Sequence, residues 1–226
     1  MTSHPYARIV TVAALSFLAG ASAAGAQETG GYASTGVYVG VASVPNFTLD
    51  GVTFDGSTYY RQIDGDEIMI LPRLDSRSTL RGVAGYRSAR GSFEVSYERT
   101  KHTGTFLGAS GEASFQSLNF DERIYAMTRG RIQPYGLLGL SIPSLTVKEG
   151  SGDGERIGDA HWHGFGLNIE PGVAVYPTPH VGISVGYRYR VMWFDTAVGV
   201  TDTTYQLRPR FRETAGSASI TAFVTF

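Results

Sequence analysis

Arg188 and Arg190 stand two residues apart, so in an extended chain both guanidinium groups project from one face. Glu94 and Glu98 share a face in the same way, as do Arg81 with Arg87 and Asp121 with Arg123; Glu170 completes the set. Small residues lie around them: Gly182, Ser184 and Gly186 lead up to Arg188. Five cations against four carboxylates nearly cancel, which fits an enclosed ion-pair network better than a solvated surface. The same groups in a file across a wall would instead carry protons or small ions.

Other constellations point to weaker chemistry. His161-Trp162-His163 follows Asp153, Glu155 and Asp159. A His-x-His pair presents both rings on one side, but zinc wants further ligands that nothing here defines, so no metal is assigned. Asp50, Asp55, Asp64, Asp66 and Glu67, and Gly152-Asp153-Gly154, offer oxygen ligands with no calcium-loop spacing and read as solvated charge. Nucleophilic hydrolysis needs Ser, His and an acid together. The candidates are His102 with Ser96 and Glu98, or His180 with Ser184; neither carries a defined motif, and no enzyme activity and no cofactor are expected. Arg208-Pro209-Arg210-Phe211-Arg212 is the dense basic run, and guanidinium forks suit phosphate.

Strands must position these groups. Val181, Ile183, Val185, Tyr187, Tyr189 and Val191 alternate with Gly182, Ser184, Gly186, Arg188 and Arg190, and similar alternation recurs along the chain. Eight strands follow, near 35–44, 78–88, 91–101, 113–127, 131–142, 164–176, 180–192 and 214–226. Tight connections (88–90, 128–130, 177–179) alternate with long ones (45–77, 102–112, 143–163, 193–213). All tight turns therefore gather at one end. With apolar faces outward and charge inward, the expected fold is all-β: an eight-stranded antiparallel up-and-down transmembrane barrel, whose interior is only wide enough for side chains. Tyr86, Tyr97, Tyr125, Tyr135, Tyr176, Tyr187, Tyr189 and Phe226 sit near strand ends, as interfacial girdles would. Glu170-Pro171-Gly172 reads as a bulge in the sixth strand, with Glu170 at risk of leaving the interior.

Composition agrees. Among 226 residues there are 29 Gly, 13 Tyr, 12 Phe and no Cys. The missing Cys excludes a disulfide scaffold, a thiolate metal site and a thiol nucleophile. A net charge of −1 gives no reason to expect nucleic acid. The mean hydropathy of −0.07 is the average of a lipid face and a polar interior.

Residues 1–26 read as a signal peptide: an apolar run over 9–20, shorter than the ~20 residues of a spanning helix, then Ala24-Gly25-Ala26 before a cut at Gln27. Ala21-Ser22-Ala23 offers a second site. A short segment over 27–34 leads into a barrel over 35–226. At the other end Ile220, Ala222, Val224 and Phe226 form one apolar face closing on an aromatic. That ending resembles the signal read by the outer-membrane insertion machinery, with Thr221 where Gly is usual.

With Gln133-Pro134-Tyr135-Gly136-Leu137-Leu138-Gly139-Leu140 and the run from Gly172 to Arg190, the chain resembles the small OmpA-like and opacity-like outer-membrane barrel family. The resemblance covers nearly all of 33–226. It implies a Gram-negative outer membrane, short periplasmic turns, four surface loops and a plugged lumen. No peptidoglycan-binding domain is expected after Phe226. The expected role is structural or interactive, with outer-membrane lipid, lipopolysaccharide phosphates at Arg208, Arg210 and Arg212, and a host or environmental ligand as partners. The alternatives are a narrow channel or lipophile conduit of the OmpW kind, and a lipid-modifying enzyme.

Overall fold

The computed structural model describes residues 31–49, 71–106, 109–148, 150–152, 155–157, 159–198 and 204–226. The signal segment and the acids at 50, 55, 64, 66, 67 and 153 lie outside them. Ten strands follow one another: β1 Gly36–Leu49, β2 Arg73–Arg87, β3 Gly91–Phe106, β4 Ala109–Tyr125, β5 Ile132–Val147, β6 Gly150–Gly152, β7 Glu155–Ile157, β8 Ala160–Thr178, β9 Val181–Val198 and β10 Thr204–Thr225. Eight of them close into an antiparallel barrel in which each strand pairs with its chain neighbour, β5 with β8, and β1 with β10. β6 and β7 form a small hairpin in the β5–β8 connection, and β6 meets β4 at Ser110 and Ser151.

Closure leaves none of the eight barrel strands with an open edge, which a sheet in lipid requires. Val39, Val41, Ile169, Val173, Ile183, Val185 and Ile220 face outward and stand 39–55% exposed. Alternate positions on the same strands, among them Ala42, Glu170, Ser184 and Arg188, are fully buried. The polar face is therefore the inside.

The strands run past their expected ends on the long-loop side. β10 is 22 residues long, whereas a membrane strand needs ~9–11. The expected loop over 102–112 shrinks to the step between Phe106 and Ala109, which pair directly. Backbone hydrogen bonding holds the sheet together beyond the lipid wherever neighbouring strands remain in register, whatever the outward side chains are. In β1 the extension passes through a bulge, with Asn46 in the left-handed region (φ 57°) and the register shifting between Val44 and Phe47. The inserted residue changes parity, so Val44 and Phe47 both point inward.

The expected bulge at Pro171 is absent. Gly136 and Leu137 of β5 stay in register with Pro171 and Glu170, and Glu170 is fully buried in the lumen. On the other side, the β8–β9 ladder skips from Ile169↔Tyr189 to Gly172↔Gly186 without a shift. Proline costs ladder bonds toward one neighbour only, since its missing N–H points one way. Three of the expected girdle residues are also elsewhere: Tyr125, Tyr135 and Tyr176 are buried inside, whereas Tyr86, Tyr97, Tyr187, Tyr189 and Phe226 are exposed. Tyr125 shares the parity of Arg123, and a period of two leaves no choice of face.

The C-terminal positions Ile220, Ala222, Val224 and Phe226 all face outward. At the tight-turn end, residues 31–35 cross the mouth. Tyr32 donates its amide to Thr128 O and Ser34 its amide to Pro179 O, both at 2.8 Å, and Ala33 is buried beneath.

Candidate functional site: the filled lumen

All nine charged residues singled out in the sequence point into the lumen, none more than 2% exposed. They do not form one network. Arg188 is a hub: Nε donates to Glu170 Oε2 at 2.7 Å, Nη1 lies 2.9 Å from Asp121 Oδ2, and Nη2 lies 3.9 Å from Glu94 Oε1. Arg123 reaches the other Glu94 oxygen at 3.1 Å. Arg190 pairs with Glu98 across the barrel. Arg87 stands apart and meets no carboxylate. It donates to the Tyr176 hydroxyl and to Gln133 Oε1 (2.5 Å), with its guanidinium 3.9 Å from the Tyr125 ring centroid. Arg81 has no hydrogen-bond acceptor among the described residues.

Sequence reasoning missed the neutral partners. Tyr38 and Tyr135 donate their hydroxyls to Glu94 Oε2 and Glu170 Oε1, each at 2.8 Å. Asn168 Nδ2 donates to Asp121 Oδ1 at 2.9 Å, and Asn119 Nδ2 reaches Ser96 Oγ at 3.3 Å. Parity was the available signal: all four sit on the lumen face of strands already read. A buried carboxylate needs such donors as well as a cation to recover its lost hydration.

The lumen is layered. Next to the tight turns lies an aromatic cluster of Tyr38, Tyr125, Tyr135, Tyr176 and Phe223 with Ala42, Val83, Leu137 and Ala174. Its Tyr38 and Tyr135 hydroxyls reach carboxylates of the charged layer. At the loop end an apolar cluster fills the interior: Val44, Phe47, Leu74, Phe115, Leu145, Trp162, Met192 and Phe194 among others. This outer cluster straddles the expected strand ends. Phe47, Leu74, Leu145, Trp162 and Phe194 lie in segments first read as loops, and Val44, Phe115 and Met192 at the ends of strands, which is why periodicity over the shorter strands overlooked it. Arg190 marks the boundary, 5.6 Å from the Phe47 ring centroid.

Above the lipid band, where Arg99 and Lys101 replace Tyr97 on the outer face of β3, the β2–β3 ladder lapses between Leu74↔Gly104 and Arg81↔Glu98. Side chains close the gap. Thr79 Oγ1 donates to Arg99 O (3.2 Å), Asp75 Oδ1 accepts from the Thr103 amide (2.7 Å), and His102 Nδ1 lies 2.8 Å from Asp75 O. Burial pushes His102 below its ordinary value, opposed by Asp75. Burial works to raise Asp75, but the Thr103 amide and Arg77 outweigh it and hold the carboxylate below its usual range. The hydrolase candidates are not assembled: Ser96 meets Asn119, Glu98 meets Arg190 and His102 meets Asp75. His180 Nδ1 lies 3.1 Å from Thr225 O at the tight-turn end, and neither its ring nor Ser184 meets the other.

His161 and His163 flank the buried Trp162 and face outward, with His161 Nδ1 2.9 Å from Thr146 Oγ1. No cluster of three metal-ligating side chains occurs among the described residues. Arg212 is exposed and stands across the ladder from Trp193, which stacks on Phe165 at 5.1 Å. Arg208 and Arg210 lie on the backbone of β10, and their side chains fall outside the described residues.

This geometry, a closed barrel with an apolar outside and a packed charged inside, agrees with known structures. Neisserial surface protein A (NspA) is similar at 20% identity with a TM-score of 0.51, over 84% of this chain and 97% of that one. The outer membrane protein OprG from Pseudomonas aeruginosa is similar at 16% identity with a TM-score of 0.51, over 87% and 98%. No curated protein matches in sequence. The model of the outer membrane protein beta-barrel domain matches residues 10–209, most of the chain. The chain therefore belongs to the family of outer membrane protein beta-barrel domains.

Proposed function

We propose that this outer-membrane barrel is a non-conducting scaffold that works at its outer rim, supporting the membrane and presenting its loops to a host or environmental surface. The observation that carries this is the filling of the lumen: an aromatic layer, a charged layer and an apolar plug in series. An eight-stranded barrel has room for side chains and little else. The test is planar-bilayer recording of refolded protein. No steady conductance is expected; a reproducible open level would transfer the chain to the narrow-channel alternative. No observation favours the lipid-modifying alternative.

Contact with lipopolysaccharide is the second part of the proposal. Arg212 stands across the ladder from Trp193, which stacks on Phe165, and a basic residue next to an aromatic border suits an amphiphile with a phosphate head. Arg212→Glu is expected to lower barrel stability in vesicles containing lipopolysaccharide and to leave it unchanged in zwitterionic vesicles. Equal behaviour in both would remove this contact. Export through residues 1–26 with processing before Gln27 belongs to the same proposal, and N-terminal sequencing of outer-membrane material reads it. The outward face of Ile220, Ala222, Val224 and Phe226 is proposed to engage the insertion machinery.

A further inference from the structure

The charged layer of the lumen holds five cations and four carboxylates. Arg81, Arg87, Arg123, Arg188 and Arg190 face Glu94, Glu98, Asp121 and Glu170 in its charged section. Glu213 is a further buried carboxylate, across the ladder from Met192 and two residues from Ala215, the ladder partner of Arg190, and it has a partner of its own. Arg87 has neutral partners at both Nη atoms, Gln133 and the Tyr176 hydroxyl, and packs against two tyrosine rings, although its Nε finds no acceptor among the described residues. Arg123, Arg188 and Arg190 take all four carboxylates.

Arg81 is what remains. It is 1% exposed, and Nε, Nη1 and Nη2 find no acceptor among the described residues. Glu98 stands directly across the ladder from it, yet gives Oε1 to Arg190. Two other guanidiniums, Arg188 and Arg190, act on Arg81 together with Glu98 and Glu170. Arg190 keeps Nε and Nη2 without acceptors, and the Thr100 hydroxyl, next inward-facing on β3 above Glu98, is likewise unpartnered. An isolated buried charge is among the costliest features a protein can hold. Every group left over here is a donor except the second oxygen of Glu98 and the acceptor capacity of the hydroxyl.

We propose that Arg81, with Arg190 and the Thr100 hydroxyl, forms a buried site for one monovalent inorganic anion of chloride type. One such ion supplies acceptors to the leftover N–H groups and a counter-charge beside Arg81. It is a structural counter-ion within the plug. The inference rests on the filled-lumen reading, and the bilayer recording tests that reading separately.

The experiment is thermal unfolding of the refolded full chain in detergent, with gluconate replaced stepwise by chloride at fixed ionic strength. The midpoint is expected to rise with chloride and to saturate, because an ion bound only by the folded state stabilises it by mass action. Arg81→Met is expected to be more stable than the parent in gluconate and to gain nothing from chloride. Lys101→Ala, on the outer face of β3, keeps the full chloride response. A midpoint indifferent to chloride in the parent, or an equal response in Arg81→Met, overturns the site. If Arg81→Met does not fold, crystals of the parent grown in bromide decide the matter. An anomalous peak beside Arg81 supports the ion, and an empty position refutes it.

Discussion

At the scale of single residues, the hub arginine and the groups packed on it make the sharpest predictions. Arg188 contacts three carboxylates, so Arg188→Ala leaves Glu170, Asp121 and Glu94 short of a partner in the lumen. Breaking a buried pair in this way costs about 3–5 kcal/mol. Denaturant unfolding in detergent reads it, and a loss under ~1 kcal/mol would mean the network relaxes around the change. Gly139 faces Asp121 so closely that a methyl group there would overlap the carboxylate. Gly139→Ala is expected to displace Asp121 and destabilise in the same direction.

His102 gives a pH dependence of known sign. Its folded value lies below the ordinary 6.5, so the unfolded chain takes up the proton first. The contribution is complete above 6.5 and is lost as pH falls from there toward the folded value. Asp75, also held low, adds stability that is present above 3.8 and is lost as pH falls through its folded value. Unfolding midpoints measured against pH should therefore drop below 6.5, and His102→Asn should flatten that part of the curve. An unchanged slope in the variant would clear His102 of the effect.

At the scale of elements, parity sets the rules. Val185 faces lipid on β9 and Thr214 faces outward on β10 beside the outer rim, two residues from Arg212. Val185→Arg is expected to cost about 2–4 kcal/mol if it lies near the midplane, and Thr214→Arg close to none. Equal costs would show that the apolar band is misplaced. Pro171→Ala restores an N–H where the β8–β9 ladder skips two rungs. It should be neutral or stabilise by about 1 kcal/mol, the net value of one hydrogen bond. The existence and order of the eight barrel strands were legible because alternation survives in each. The three-residue strands β6 and β7, inside the segment read as a loop, are too short to show a period. The outer ends of the barrel strands were not legible, because past the lipid band the outward face turns polar and the contrast between faces fades. Lys101, Thr103 and Glu112 sit in paired β3 and β4 yet look like loop residues.

At the scale of the whole molecule, two clusters pack the ends of the charged layer, and the proposed closure of the lumen rests on all three. Phe47 and Phe115 lie 4.7 Å apart between ring centroids at the core of the outer plug. Phe115→Ala is expected to cost about 3–5 kcal/mol through the cavity it leaves. It should still show no conductance, because the charged and aromatic layers remain in series. Conductance appearing in this single variant would identify the plug as the sole barrier.

The sequence by itself determined the barrel: a period of two on closed antiparallel strands, apolar on one face and polar on the other, admits a lipid exterior and a packed interior. Parity also pointed eight of the nine charged groups inward. The ninth, Glu170, depended on whether the strand bulges at Pro171, which only the register in the folded sheet decided. Only the tertiary structure decided which of them meet. Closing a tilted, staggered sheet brings strands far apart in the chain across the lumen from one another. Arg190 thereby captures Glu98 from the far wall, while Arg81, its neighbour on the ladder, is left without a carboxylate.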